Sequence, residues 1–205
     1  MDRSKSYKEK IYIDIVVLSI FPVFFTIISG IIVDLLIGDL RYGHLSSALT
    51  VWISMIIGMF IFPIIYLRKN DNAVCNPVDL GLEIDFPLDV ILITLVIIFL
   101  IVVKTMIFKG DIVFALVQNI PIAFCEEFWC KGVIFTQLKH IFKNNYIVIL
   151  ISAIIFAFIT HLGQSFLANL VVRFPFGLVS GFIYCKTGKL IYPVLLHLLY
   201  NAMIV

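Results

Sequence analysis

Long apolar runs with few charges are what most constrain this chain. A helix that crosses a bilayer needs roughly 20 mostly apolar residues. Seven segments approach that pattern: 11–37, 45–67, 88–108, 111–142, 146–161, 166–185 and 190–205. Of 205 residues, 62% are hydrophobic and 14% charged, whereas a soluble domain is about half apolar and about a quarter charged. A globule this small needs polar cover over its surface, so the surplus faces lipid. The expected fold is all-α: a polytopic membrane helix bundle of about seven transmembrane helices, forming one integral membrane domain over 1–205.

The breaks between the runs carry the polar residues. The stretch RKNDNAVCNPVDLGLEIDFP reads as a loop, and KGD closes the third run. The fourth run, with Pro121 at its centre and charges behind it, predicts a kinked or broken helix. With the N-terminus inside, Arg3, Lys5, Lys8, Lys10, Arg68, Lys69, Lys139, Lys143, Lys186 and Lys189 fall on the cytoplasmic side. Arg41, Lys104 and Lys109 fall on the other, while Lys131 and Arg173 lie within spans. This asymmetry fits a cell-membrane protein with its N-terminus in the cytoplasm. The basic start, MDRSKSYKEK, precedes an apolar stretch too long for a signal-peptide core and without a small-residue cleavage site, so it is expected to stay as a helix. Cys75, Cys125, Cys130 and Cys185 show no CxxC spacing and read as small hydrophobes. A net charge of +2 without a basic, aromatic-interleaved run gives no reason to expect a nucleic-acid partner.

Against this background a few residues are costly. Glu126, Glu127 and Lys131 sit in one apolar run, and His161, Arg173, His197 and Asn201 sit in others. An ionisable group near the bilayer centre costs about 2.5–3.5 kcal/mol on insertion scales, so such groups face a bundle interior. Spacing alone leaves structural readings open. Glu127 and Lys131, four apart, can pair on one helical face. His197 and Asn201 can hydrogen-bond a neighbouring helix, and His161 can sit at an interface. Together, however, a carboxylate, two imidazoles and an amide are the parts needed to hydrolyse an amide with activated water. A carboxylate shielded from bulk water makes a better general base. An imidazole and an amide can donate to a developing oxyanion.

At these residues the chain resembles the CAAX-protease and bacteriocin-processing family of intramembrane endopeptidases, also called the Abi family. The resemblance rests on EEFWCKG (Glu126, Glu127, Lys131), on FAFITH ending at His161, and on HLLYN (His197, Asn201). The Gly-rich FPFGLVSGFIYCKTGKLIYPVLL precedes the last motif, and the whole match runs from about Val113 to Asn201, with a faint echo in NPVDLGL. Lys131 stands where the family has Arg, and the aromatic expected four before His161 is displaced, with Phe156 and Phe158 flanking Ala157.

The resemblance implies a family core over 111–203 in which Glu126 and His161 activate water. His197 and Asn201 form the oxyanion site, and Glu127 and Lys131 support it. It implies catalysis without a metal; a zinc-dependent variant would use Glu126, His161 and His197, although no HExxH is present. The implied partner is a membrane-associated peptide or protein, and the Ile-, Phe- and Lys-rich composition suggests a bacterial source. Two other classes compete: a bacteriocin self-immunity protein that acts by binding, and a small transporter. A transporter more often shows an inverted repeat or paired broken helices, and only one such helix is expected here.

Overall fold

The computed structural model describes residues 3–37, 44–70, 76, 78–108 and 112–204. All seven apolar segments are helical: α1 (Arg3–Ile37), α2 (44–69), α3 (88–108), α4 (112–141), α5 (Asn145–Ile159), α6 (Phe166–Thr187) and α7 (Ile191–Ile204). No strand occurs among the described residues. Five helices are long and apolar enough to cross a membrane, and α5 and α7 are shorter. This is an all-α, multi-pass membrane helix bundle. Cys75, Arg41 and Lys109 lie outside the described residues.

Helix α4 is the centre of the bundle. Its most apolar window is 56% buried, against a third or less in the other four long helices. Every residue from Phe128 to Phe135 is inside. The outer helices turn large apolar side chains such as Ile13, Leu35, Ile91 and Phe99 outward, as lipid contact requires. Glycine permits one close approach near the site. A Cβ on Gly177 of α6 would meet Ala153 of α5 at 3.1–3.2 Å, so these two helices pack almost backbone to backbone.

Of the kinked or broken helix expected at Pro121, the broken form does not occur; α4 runs through the proline. Proline removes one helical N–H and leaves the carbonyl four residues earlier without its partner. In lipid such an orphan is costly unless another donor satisfies it. Here a tryptophan supplies the donor: Trp52 Nε1–H bonds to Val117 O at 2.6 Å. The same device repeats in α1, where Pro22 lies inside the helix and Trp129 Nε1–H donates to Leu18 O at 2.6 Å. Both tryptophans of the chain therefore repair a proline gap on a different helix, locking α2 to α4 and α4 to α1.

One end of the bundle is tied by polar contacts. Lys10 Nζ donates to Asn70 O at 2.6 Å, joining the start of α1 to the end of α2. Residues 78–87 pack against the α6–α7 turn through Leu190 N–H to Gly81 O at 2.8 Å. Lys189 pairs with Asp85 and, at 3.3 Å, with the buried Asp89, which also accepts from Tyr192 Oη at 2.9 Å. The bond to Asp85 holds the Lys189 ammonium above the usual lysine range against the opposing effect of burial, and Asp89 adds to it. Gly81 is required there. Its φ is +74°, and a Cβ would approach Tyr184 to 2.7 Å. Lys10, Arg68, Lys69, Lys139, Lys143, Lys186 and Lys189 all belong to helix ends or turns at this same end.

Candidate functional site

The site is set by helix length. At 1.5 Å per residue, α5 is roughly 22 Å long, shorter than the hydrocarbon core of about 30 Å. His161, in the turn just beyond its end, therefore stands roughly 24 Å from the basic end. Glu126 stands at a matching height, because its carboxylate lies 3.8 Å from His197, which shares a cavity wall with His161. The histidine that the sequence placed near the outer end of a span is thus level with a glutamate in mid-span.

His197 of α7 is the hub. Its Nδ1 lies 3.0 Å from Glu127 Oε1, and its Nε2 lies 3.8 Å from Glu126 Oε2. An ionised carboxylate only accepts, so Nδ1–H donates to Glu127, and Nε2 is the nitrogen turned towards Glu126. The other oxygen of Glu127 accepts from Ser180 Oγ of α6 at 2.6 Å. Both oxygens of this fully buried carboxylate are engaged. Glu126 differs: it is buried, yet its Oε2 has no hydrogen-bond partner among the described residues. Two adjacent glutamates thus hold different environments, one saturated and one open.

A cavity of about 140 Å³ adjoins this cluster, lined by Phe156, His161, Arg173, Phe176, His197, Tyr200 and Asn201. Phe156 and Phe176 bracket the His197 ring at centroid distances of 5.7 and 5.0 Å. Phe156 also packs edge-on against His161 at 5.5 Å. The aromatic displaced from its expected position therefore still serves the site, while Phe158 stacks against Phe166 instead. His161 Nδ1 sits 2.6 Å from Thr160 Oγ1 and 3.3 Å from Phe156 O, so its orientation is held by its own turn. His161, His197 and Asn201 share the cavity wall, and Glu126 approaches it through His197.

The ion pair expected between Glu127 and Lys131 is not formed. Residues 128–135 are π-helical, and the wider i→i+5 turn moves Lys131 off the face it would share with Glu127 in an α-helix. Its buried Nζ instead donates to Ser152 Oγ at 3.2 Å and to Gly177 O at 3.3 Å, and lies 5.4 Å from the Phe156 ring centroid. Lys131 thereby ties α4 to α5 and α6 beneath Phe156.

Sequence reasoning assigned no role to Arg173, Ser180, Phe176 or Tyr200. For Arg173 the signal was present, since an arginine inside an apolar run is as costly as a glutamate. Ser180 and the aromatics carry no such mark, because small and aromatic residues are ordinary between packed helices. For the zinc alternative, no three His, Cys, Asp or Glu side chains among the described residues come close enough together to hold an ion.

Fold and site define a multi-pass membrane protein with a carboxylate–imidazole cluster beside a small polar cavity. Residues 108–203 match the model of the family described as type II CAAX prenyl endopeptidase Rce1-like. That is the stretch on which the motif resemblance rests. A curated relative, the UPF0177 protein YaiH of Lactococcus lactis subsp. lactis (strain IL1403), is 32% identical over 97 residues, which is 47% of this chain and 40% of YaiH. The chain therefore aligns with well under half of that relative's length. No solved structure gives a significant match.

Proposed function

We propose that this protein is an intramembrane endopeptidase of the CAAX-processing type, cutting a peptide bond in a membrane-associated peptide or protein. The observation that carries the reading is the contrast at His197, which faces a saturated glutamate on one nitrogen and an open one on the other. Glu126, together with His161, takes a proton from water as the water oxygen adds to the scissile carbonyl carbon. His197, as an imidazolium that keeps its Nε2–H once Nδ1–H is given to Glu127, and Asn201 donate to the oxyanion that forms, a kind of interaction worth about 3–4 kcal/mol when a single donor is removed. The C–N bond then breaks, and the proton passes to the departing amine. Glu127 orients His197 and stabilises its imidazolium, the usual task of a carboxylate behind an imidazole, and Lys131 braces the helices around Phe156.

The chemistry in this reading needs no metal, and no three His, Cys, Asp or Glu side chains among the described residues lie close enough together to hold one. With the N-terminus in the cytoplasm, as the basic end suggests, the turn holding His161 faces the opposite side, and the cavity lies nearer that face. The test is mass spectrometry of peptides released by cells carrying wild type or Glu126→Gln, with and without a strong chelator. We expect Glu126-dependent products that persist in chelator. Activity lost on chelation and restored by zinc would overturn the metal-free mechanism. An unaltered product set, with full biological effect from Glu126→Gln, would overturn the peptidase reading and favour an immunity protein acting by binding.

A further inference from the structure

Arg173 is a costly residue that this mechanism does not use. It ends a π-helical stretch of α6, Asn169–Arg173, and lines the cavity beside His161, His197 and Asn201. A guanidinium has five N–H donors in a planar fork. Here Nη1 donates to Asn169 Oδ1 at 3.1 Å, and no carboxylate pairs with Arg173 among the described residues. Of the nearby carboxylates, Glu127 is saturated by His197 and Ser180, and Glu126 stays open, its Oε2 at 3.8 Å from His197 Nε2. The charge of Arg173 still reaches Glu126 and His161.

The fork is also aimed. Asn169, itself buried, donates from Nδ2 to His161 O at 3.0 Å, so the amide that holds Arg173 is held in turn by the His161 turn. A purely structural arginine at this depth would saturate its donors on a carboxylate or on helix carbonyls. This one has a single hydrogen bond from its fork among the described residues and lines the cavity next to the proposed water-activating groups. A planar fork matches a carboxylate in bidentate fashion. At about 30 Å³ per water, the cavity has room for roughly four or five waters, enough for the end of one residue and little more.

We propose that Arg173 is a specificity-determining residue that receives a carboxylate of the substrate, so that the bond cut lies beside either a free C-terminus or an acidic side chain. The proposal rests on the peptidase reading for its use of the word substrate, but the binding it requires is measurable without turnover. The probes are N-acetyl-leucine against N-acetyl-leucinamide, and N-acetyl-glutamate α-amide against the corresponding glutamine diamide. They are titrated onto the full chain in lipid nanodiscs, as wild type, Arg173→Gln, Arg173→Lys and Glu126→Gln.

Wild type is expected to prefer an acid over its neutral twin by about tenfold or more, as charge-assisted bidentate bonds do. Arg173→Gln should abolish the preference, and Arg173→Lys, which keeps charge but not the fork, should reduce it. Glu126→Gln should keep or increase it, because a neighbouring negative charge is gone. Preference confined to the leucine pair identifies a free C-terminus; preference confined to the glutamate pair identifies an acidic side chain. Equal binding of acid and neutral twin by wild type, or a preference that survives Arg173→Gln, would overturn the proposal. Where Arg173→Gln does not fold, an undiminished preference in Arg173→Lys overturns the bidentate role. An Arg173-dependent preference in a protein that cleaves nothing through Glu126 would sink the peptidase reading while leaving the carboxylate subsite standing.

Discussion

Replacing Glu126 and Glu127 separately by glutamine should shift stability in opposite directions, although the two residues are adjacent and chemically identical. Glu127 has no exposed surface and satisfies His197 Nδ1 at 3.0 Å and Ser180 Oγ at 2.6 Å. Glutamine keeps the shape and accepts from one partner only, holding Ser180 by donating to its Oγ instead, and it turns charge-assisted bonds into neutral ones. Such bonds contribute about 1.5–3 kcal/mol when a partner is charged and about 0.5–1.5 kcal/mol when neither is. Over the two bonds the expected loss is therefore about 2–3 kcal/mol. Glu126 buries a carboxylate whose Oε2 has no hydrogen bond and whose nearest cationic partner, His197 Nε2, is 3.8 Å away. An uncharged amide there removes a desolvation cost of about 1–3 kcal/mol. For a chain of this size each kcal/mol shifts Tm by about 2–4 °C, so at pH 8 Glu127→Gln should fall by several degrees and Glu126→Gln should rise. Unfolding can be followed in detergent with a thiol-reactive dye, since Cys125 and Cys130 are free and buried. Catalytic groups are held at some expense to stability, so the variant that gains stability should be the one that loses activity. A drop in Tm for Glu126→Gln equal to that for Glu127→Gln would refute the division of labour between the two.

Three further outcomes follow from the same geometry. Trp129→Phe should cost about 1–3 kcal/mol by stranding Leu18 O, and much less in a Pro22→Ala background, where residue 22 regains an N–H for that carbonyl. Additive losses in the double-mutant cycle would contradict the repair role. Lys131→Arg should retain activity and fold, because the charge beneath Phe156 persists, whereas Lys131→Met should lower Tm by removing the bonds to Ser152 Oγ and Gly177 O; an inactive Arg variant would rule out the bracing role. Single cysteines placed at Gln164 and Lys143, with the natural cysteines removed, should react with an impermeant reagent on opposite sides of the membrane, Gln164 from outside. Reaction of both from one side would refute the topology.

Much of this protein was legible from side-chain cost alone. Apolar runs without compensating charge require lipid-facing helices, and an ionisable residue inside such a run must turn inward, which is why Glu126, Glu127, His161, His197 and Asn201 stood out before any coordinates. Spacing was informative only where the helix kept its ordinary pitch. Lys131 was misread as the partner of Glu127 because a π-helical segment changes which residues share a face, and the sequence signals no such change. That the helix continues through Pro121 depends on Trp52, on another helix and far away in the chain. The height of His161 depended on α5 being too short to cross the bilayer, and the distinct roles of the two glutamates depended on which of them met Ser180 and His197. Identity and polarity are properties of single residues and can be read singly. Partnership is a property of packing, and only the assembled bundle decides it.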